Sequence, residues 1–358
     1  MALVPSAVRE LTRRGHTVFV ETRAGEGIGE SDEAYDRAGA SIVEDQKELY
    51  SCAELIVKVK KPQPDERRSL RPEHVLFAYL HLAADPLQAD ELIASGATCI
   101  AFETITSAGG KLPLLLPMSE IAGRLAIQAG ASCLEKKNGG SGVLLGGAPG
   151  VVPGTVVILG AGSVGLNAAA IAVGMGANVV ILDRSIEALR VAGHLFGSRI
   201  KTVFASEQSV GEHLCSADLV IGGVLIPGAT APKMITREHL KGMRPGSVFV
   251  DVSVDQGGCA ETTRPTTHAA PTYVEHGVVH YCVANMPSAV SRTSAAALSN
   301  AILPYVTALA EQGWRKAMQT DPHMLQGLNI CKGQVTYPAV AKDLGLPYTD
   351  PTHLVNQA

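Results

Sequence analysis

The sequence has few charged and few aromatic side chains. Charged residues make up 18% of the 358 positions and aromatic residues 4%, and 30 lysines and arginines nearly balance 34 aspartates and glutamates. The formal net charge of −4 and the pI near 6.3 give no basic surface that would attract nucleic acid or an anionic membrane. With 46% hydrophobic residues, the composition also excludes general disorder. The 37 glycines indicate much buried backbone and several tight loops.

Paired cysteines and targeting segments are missing as well. The seven cysteines form no C-x-x-C pair and have no histidine at metal-site spacing, so a reduced, cytoplasmic compartment is expected. The first residues match neither a secretory signal nor a transit peptide. Residues 138–182 carry no charge and could span a bilayer, but 12 glycines and two prolines interrupt them, which favours a protein that is not in a membrane.

Strand and helix patterns alternate along the chain. In the first part, strands are predicted at 17–21, 55–59, 75–80 and 98–102, with helices at 6–14, 32–37 and 85–95. In the second part, strands are predicted at 156–159, 178–182, 201–204, 219–224, 247–251 and 278–283. Such alternation predicts parallel sheets with helices on their faces, in both parts of the chain.

A glycine-rich turn follows the first strand of the second part and opens a helix predicted over 166–173. The G-x-G-x-x-G pattern consists of Gly160, Gly162 and Gly165. These glycines allow a tight turn, the close approach of backbone to a pyrophosphate, and close packing of helix on strand. The next strand ends in Asp183, where this motif places an acid for the adenosine ribose. A carboxylate repels a 2′-phosphate, so NAD is expected, although the neighbouring Arg184 keeps NADP as an alternative.

Two long helical patterns, at 119–134 and 295–312, mark the connections between two domains. We predict an α/β protein with two doubly wound domains. A Rossmann NAD-binding domain with its connecting helix, at 115–291, is inserted into a discontinuous α/β substrate domain at 1–114 and 292–358. The last segment is short and polar with little strand character, and we expect it to return to the first domain.

Candidate substrate-binding residues follow two predicted strands of the first domain. Lys58 and Lys60 share one face of a strand that Pro62 ends, and α/β folds bind ligands at the carboxyl ends of their strands. Lys60 could hold an anionic substrate, and an exposed basic strand end is the alternative. His81 directly follows the next strand and could donate a proton or a hydrogen bond. A partly buried structural histidine is the alternative there.

Candidate residues of the second domain also follow strands. Asp255 lies beyond a strand end and is the candidate general base, whereas Asp251 is expected to serve structure. An aspartate that merely begins a turn is the alternative. Asn285 and Met286 lie where loops of a doubly wound sheet would face a nicotinamide. Ser119 is expected to cap the N-terminus of the first long helix and, secondly, to bind phosphate.

Several further stretches are distinctive. They are KVKKP (58–62), YLHLAAD (79–85), LPLLLPMSEIAGRLA (112–126), GVLLGGAPGV (142–151), LIPGATAPK (225–233), VDQGG (254–258), RPTTH (264–268) and VANMPSAV (283–290). Together with the glycine-rich turn and Asp183, they resemble the alanine dehydrogenase family. The resemblance runs from Ala2 to about Tyr348 without an evident gap, which makes it far more specific than any single motif.

The resemblance implies reversible, NAD-dependent oxidative deamination of L-alanine to pyruvate and ammonia by a two-domain enzyme that is usually a hexamer. By position, Lys60 would bind the substrate, His81 would hydrogen-bond and protonate its oxygen, and Asp255 would act as acid and base. Asn285 is expected at the substrate too. The expected cofactor-binding residues are Ser119, Gly160, Gly162, Ser163, Val164, Gly165, Asp183, Arg184, Val224, Leu225, Asp255, Asn285 and Met286.

One departure from the family concerns the N-terminus. Family members begin about 15 residues earlier, with a strand and a loop whose arginine pairs with the substrate carboxylate, a contact that a lysine does not replace. The resemblance leaves three explanations open: a start codon placed late, which we favour because the rest of the site is intact, a truncated chain, or an NAD-binding protein that lacks turnover.

Two other functions also stay open at this point. One is an NAD-binding subunit related to the soluble domain of proton-translocating transhydrogenase, against which the VDQGG and YLHLAAD stretches argue. The other is a dehydrogenase for another amino acid, such as lysine or saccharopine, which would need a larger substrate pocket.

Overall fold

The computed structural model describes residues 1–224 and 231–356. The chain divides into two units: unit 1 comprises Met1–Pro117 and Val290–Ala358, and unit 2 comprises Met118–Ala289. Residues from Val290 onward group with the N-terminal segment in unit 1. None of the helices within the described residues has the length and apolar character needed to cross a membrane.

Strands and helices follow one another along the chain as the sequence predicts. The N-terminal elements are α1 (Pro5–Arg13), β1 (Phe19–Glu21), α2 (Asp32–Asp36), β2 (Ser41–Val43), α3 (Gln46–Cys52), β3 (Leu55–Val57), α4 (Pro64–Arg68), β4 (Val75–Ala78), α5 (Pro86–Ser95) and β5 (Thr98–Ala101). The central elements are α6 (Leu116–Cys133), β6 (Thr155–Leu159), α7 (Ser163–Gly174), β7 (Asn178–Asp183), α8 (Ile186–Phe196), β8 (Ile200–Phe204), α9 (Glu207–Ser216), β9 (Leu219–Gly222), α10 (Arg237–Gly242), β10 (Val248–Asp251), β11 (Thr272–Glu275) and β12 (Val278–Tyr281). The C-terminal elements are α11 (Ser291–Thr320), α12 (Pro322–Leu325), β13 (Leu328–Cys331), β14 (Gln334–Val335), α13 (Pro338–Leu344) and α14 (Pro351–Val355).

The described residues of unit 2 form a seven-stranded sheet in the order β11-β12-β10-β9-β6-β7-β8. All neighbours are parallel except β11 and β12. Without β11, the order is that of a Rossmann fold, with β6 as the first strand. Strands β6, β9 and β10 are almost wholly buried, as expected for a parallel sheet covered on both faces. The α/β class and the doubly wound topology of this domain are confirmed.

Unit 1 contains a five-stranded sheet in the order β14-β13-β5-β4-β3 and a separate two-stranded sheet of β1 and β2. Strands β3, β4 and β5 are parallel, whereas β13 runs antiparallel to both β5 and β14. The expectation of little strand character near the C-terminus is therefore wrong. Strand β13 is fully buried beside β5, and this tertiary burial, rather than a long apolar pattern, makes the segment a strand.

Candidate functional site

The glycine-rich turn joins β6 to α7. Gly160 has a φ of 104°, which favours glycine, and a Cβ at Gly165 would lie 1.8 Å from the carbonyl oxygen of Gly160. A Cβ at Gly162, by contrast, would meet no atom within 4 Å. Helix α7 begins at Ser163, three residues before the predicted start, so Ser163 and Val164 belong to its first turn. The open space at Gly162 and the amides of this first turn fit a pyrophosphate.

Asp183 is the last residue of β7 and binds the same turn. Its Oδ2 accepts a hydrogen bond from Ala161 N at 2.6 Å, and its Oδ1 accepts one from Ser185 N at 2.7 Å. A carboxylate oxygen has two lone pairs, so each oxygen can still accept a ribose hydroxyl. Arg184 follows on the surface. The position of Asp183 therefore fits an adenosine ribose next to the glycine-rich turn.

The loop after β9 contains Val224 and Leu225, two of the expected cofactor-binding residues. The carbonyl of Val224 accepts a hydrogen bond from Ser253 Oγ at 2.7 Å, which ties this loop to the one after β10. Leu225 lies outside the described residues.

Asp251 holds the loop after β10 in place. Its buried carboxylate accepts hydrogen bonds from Ser253 N and Cys259 N, both at 2.9 Å, and from Thr263 Oγ1 at 2.5 Å. Burial raises the pKa of Asp251, while these hydrogen bonds oppose the rise. The structural role expected for Asp251 thus fits its contacts, since they shape the loop that carries Asp255.

Asp255 lies in a 3-10 turn after β10 and is exposed. Its Oδ2 accepts a hydrogen bond from Asn285 N at 3.1 Å, so the structure brings Asp255 and Asn285 together. Asn285 has a φ of 55°, and Met286 beside it is buried. Lys233, which the sequence analysis does not single out, donates hydrogen bonds to the carbonyls after Gln256, at Gly257 and Gly258. This lysine fixes the turn that follows Asp255.

Three lysines follow β3 in unit 1 and differ in their ion pairs. Lys58 pairs with Glu66, and Lys61 pairs with Asp85 at 2.5 Å. Lys60 is exposed and forms no ion pair with any of the described residues. Strand β3 ends at Val57, two residues before its predicted end, so the lysines lie just beyond it. All three line a cavity of about 1050 Å³ within unit 1. Lys60 is therefore the lysine available to an anionic substrate.

His81 follows β4, the strand that neighbours β3. Its ring is about half exposed and stacks on Tyr79, with ring centres 5.9 Å apart. The backbone N–H of His81 donates to Glu103 Oε1 at 2.6 Å, and Nδ1 lies 3.8 Å from the same oxygen. Leu80 N also donates to Glu103, at 3.1 Å. His81 has a φ of 49°, a conformation that side chains rarely adopt, so Glu103 holds a strained turn that presents the imidazole.

Glu103 was not predicted, although a signal for it exists. It follows β5 by two residues, at the same sheet edge as His81, and its side chain is only 15% exposed. Burial also raises the pKa of the neighbouring Tyr79, whose hydroxyl donates to Leu114 O. The candidate groups of unit 1 thus lie beyond the carboxyl ends of three adjacent parallel strands, as the topology requires.

Ser119 corrects one expectation. Helix α6 begins at Leu116, so Ser119 lies within its first turns and is not the N-cap. The reason is Pro117, since proline favours the first turn of a helix, where its missing N–H costs nothing.

Two family models match the chain. One is the alanine dehydrogenase/PNT N-terminal domain, over residues 1–122, and the other is the alanine dehydrogenase/PNT C-terminal domain, over residues 126–338. The chain belongs to this family. It is 54% identical to the alanine dehydrogenase of Halomonas elongata over 355 residues, which are 99% of this chain and 96% of that protein.

Solved structures of the family give the same result. A structure of L-alanine dehydrogenase matches with a TM-score of 0.93 and 49% identity, over 96% of this chain and 95% of that one. The transhydrogenase of Sinorhizobium meliloti matches with a TM-score of 0.81 and 26% identity, over 94% of this chain and 95% of that one. Within the family, the chain is thus much more similar to proteins named alanine dehydrogenase than to this transhydrogenase.

Proposed function

We propose that the protein is an NAD-dependent alanine dehydrogenase, which converts L-alanine, NAD⁺ and water reversibly into pyruvate, ammonium, NADH and a proton. The observation that carries the proposal is the pair of groups beyond β3 and β4. Lys60 is a cation without an ion-pair partner in the described part of the chain, and His81 is an imidazole held in a strained turn by Glu103. This pair suits a small 2-oxo acid, which has one carboxylate and one carbonyl to bind.

On the substrate side, Lys60 holds the anionic substrate, and His81 hydrogen-bonds its oxygen and supplies or removes the proton there. Asp255 moves the proton of the water or ammonia that adds to the substrate carbon, and Asn285 contacts the substrate. The contacts of Lys60 and Asp255 support these roles. The Lys60 ammonium has no ion-pair partner among the described residues that would compete with a substrate. The exposed Asp255 carboxylate accepts from Asn285 N through one oxygen, so its other oxygen can accept a proton. Proton transfer by positioned groups of this kind accelerates such reactions by about 10²- to 10⁴-fold.

On the cofactor side, the proposed NAD site contains the glycine-rich turn for the pyrophosphate and Asp183 for the ribose. Bound NAD would supply the nicotinamide that accepts a hydride from the substrate carbon. The further proposed contacts are Ser119, Ser163, Val164, Arg184, Val224, Leu225, Asn285 and Met286. The space at Gly162 supports this site, as do the two remaining acceptor positions on Asp183.

The experiment that tests the function is a comparison of amino acids as substrates. NADH formation is measured with NAD and either L-alanine, L-lysine or saccharopine, in the parent chain and in His81→Ala. The proposal requires turnover with L-alanine that exceeds turnover with the larger substrates, and its loss in His81→Ala. Faster turnover with a bulky substrate would contradict it.

We further infer a homohexamer in the cytoplasm. This inference rests on the resemblance to alanine dehydrogenases and on the reduced compartment that the cysteine pattern favours. Light scattering coupled to size-exclusion chromatography tests the hexamer, which a monomer mass would contradict.

A further inference from the structure

The RPTTH stretch, 264–268, is not used by the proposed reaction, yet it lies against the segment that carries Asn285. Thr266 donates its backbone N–H to the carbonyl of Cys282 at 2.9 Å and accepts one from Ala284 N at 3.2 Å. It thus pairs with the chain just beyond the end of β12. The stretch therefore has a fixed position immediately before Asn285.

His268, the last residue of this stretch, contacts Ser288. Its Nε2 lies 2.8 Å from Ser288 Oγ, and the Ser288 hydroxyl donates to the carbonyl of Asn285 at 2.8 Å. A hydroxyl has one proton and two lone pairs. Because that proton goes to Asn285, Ser288 accepts from His268, and Nε2 of His268 carries the proton that it donates.

Asn285 depends on these contacts because of its backbone conformation. Its φ of 55° lies in the left-handed region, which asparagine tolerates better than most residues but which still needs support. The carbonyl of Asn285 accepts hydrogen bonds from both the hydroxyl and the backbone N–H of Ser288, and its own N–H donates to Asp255 Oδ2. A displacement of Ser288 would therefore change the hydrogen bond that Asp255 receives.

We propose that His268 is a positioning residue, which fixes the Asn285 turn through Ser288 and thereby orients the carboxylate of Asp255. The proposal rests on the proposed function, in which Asp255 moves a proton and Asn285 contacts the substrate. His268 itself contacts no reacting atom. Replacement of His268 should consequently lower kcat for pyruvate amination. The fold should be retained, since His268 and Ser288 are both exposed.

The test is a double-mutant cycle on kcat with His268→Ala, Ser288→Ala and the double variant. Each single variant should lose about 3- to 10-fold in kcat, which corresponds to one hydrogen bond. The double variant should lose little more, because the two residues act as one unit. His268→Gln retains a donor and should recover most of the rate. His194→Ala, on the surface of α8, is the matched control and should keep the parental rate.

Additive losses in the double variant, or a glutamine variant as slow as the alanine variant, would overturn the proposal. A second readout does not need turnover: hydrogen exchange at the amide of Asn285, which donates to Asp255. This amide should exchange faster in His268→Ala than in the parent, and an unchanged rate would also overturn the proposal. A parent chain without activity would count against the proposed function alone, because the exchange measurement still tests the role of His268.

Discussion

The substitution Glu103→Gln tests whether the turn that presents His81 depends on one carboxylate. Glu103 accepts the backbone N–H groups of Leu80 and His81, at 3.1 and 2.6 Å. Both N–H groups donate to Oε1, and Leu80 N also donates to Oε2 at 3.3 Å. A glutamine side chain that keeps its oxygen at the Oε1 position turns an NH₂ group toward Leu80 N, so the bond at Oε2 and the charge of the acceptor are lost. A hydrogen bond to a charged group contributes about 1.5–3 kcal/mol, and the left-handed conformation of His81 costs roughly 1–2 kcal/mol, which the remaining bonds must offset.

If the whole of this free energy is needed to orient His81, its loss raises the free energy of the transition state by about 1.5–3 kcal/mol. This corresponds to a roughly 10- to 150-fold fall in kcat/KM. The assay is steady-state NADH formation from L-alanine, with the melting temperature measured on the same samples. Glu91→Gln is the control, because Glu91 pairs with Arg67 and not with the His81 turn. A Glu103→Gln variant that melts like the parent and keeps kcat/KM within about twofold would contradict this role of Glu103.

Three further predictions concern the cofactor turn, the lysines and a buried histidine. Gly162→Ala should keep the parental melting temperature but weaken NADH binding, measured by nicotinamide fluorescence, whereas Gly165→Ala should destabilise unit 2 because its Cβ would overlap the Gly160 carbonyl. Lys60→Met should raise KM for pyruvate by roughly 10- to 100-fold, while Lys61→Met, whose lysine pairs with Asp85, should change it by less than about threefold. Burial lowers the pKa of His280 below 6.5, so on acidification the unfolded chain binds this proton at a higher pH than the folded chain does. The free energy of unfolding that depends on neutral His280 is therefore fully present above about pH 6.5 and falls as the pH drops below that value. Thermal melts at about pH 7.5 and 5.5 should show a smaller loss for His280→Gln than for the parent, and equal losses would contradict this assignment.

The sequence predicts the Rossmann sheet well because its strands are long, buried runs between helices. All six predicted strands of unit 2 are confirmed within about two residues, and the glycine-rich turn lies between β6 and α7 as its motif requires. Strand β11 was not predicted, since it lies at the sheet edge, where alternate residues remain exposed and no continuous apolar run marks it.

The structure of unit 1 is harder to predict from the sequence, because some of its elements form through contacts with residues far away in the chain. Strand β13 is four residues long and becomes a strand through pairing with β5, more than 200 positions earlier in the chain. Glu103 is not predicted for the same reason, because its role depends on two backbone N–H groups that follow a different strand, β4. By contrast, Lys60, His81 and Asp255 could be singled out because each lies just beyond a strand end, where α/β folds bind ligands.

The proposed dehydrogenase activity is tested most directly by the change in nicotinamide absorbance when this chain is mixed with NAD and L-alanine. An alanine dehydrogenase forms NADH only when both compounds are present, and it consumes NADH when pyruvate and ammonium are supplied instead. NADH binding without turnover in either direction would contradict the assignment as an alanine dehydrogenase.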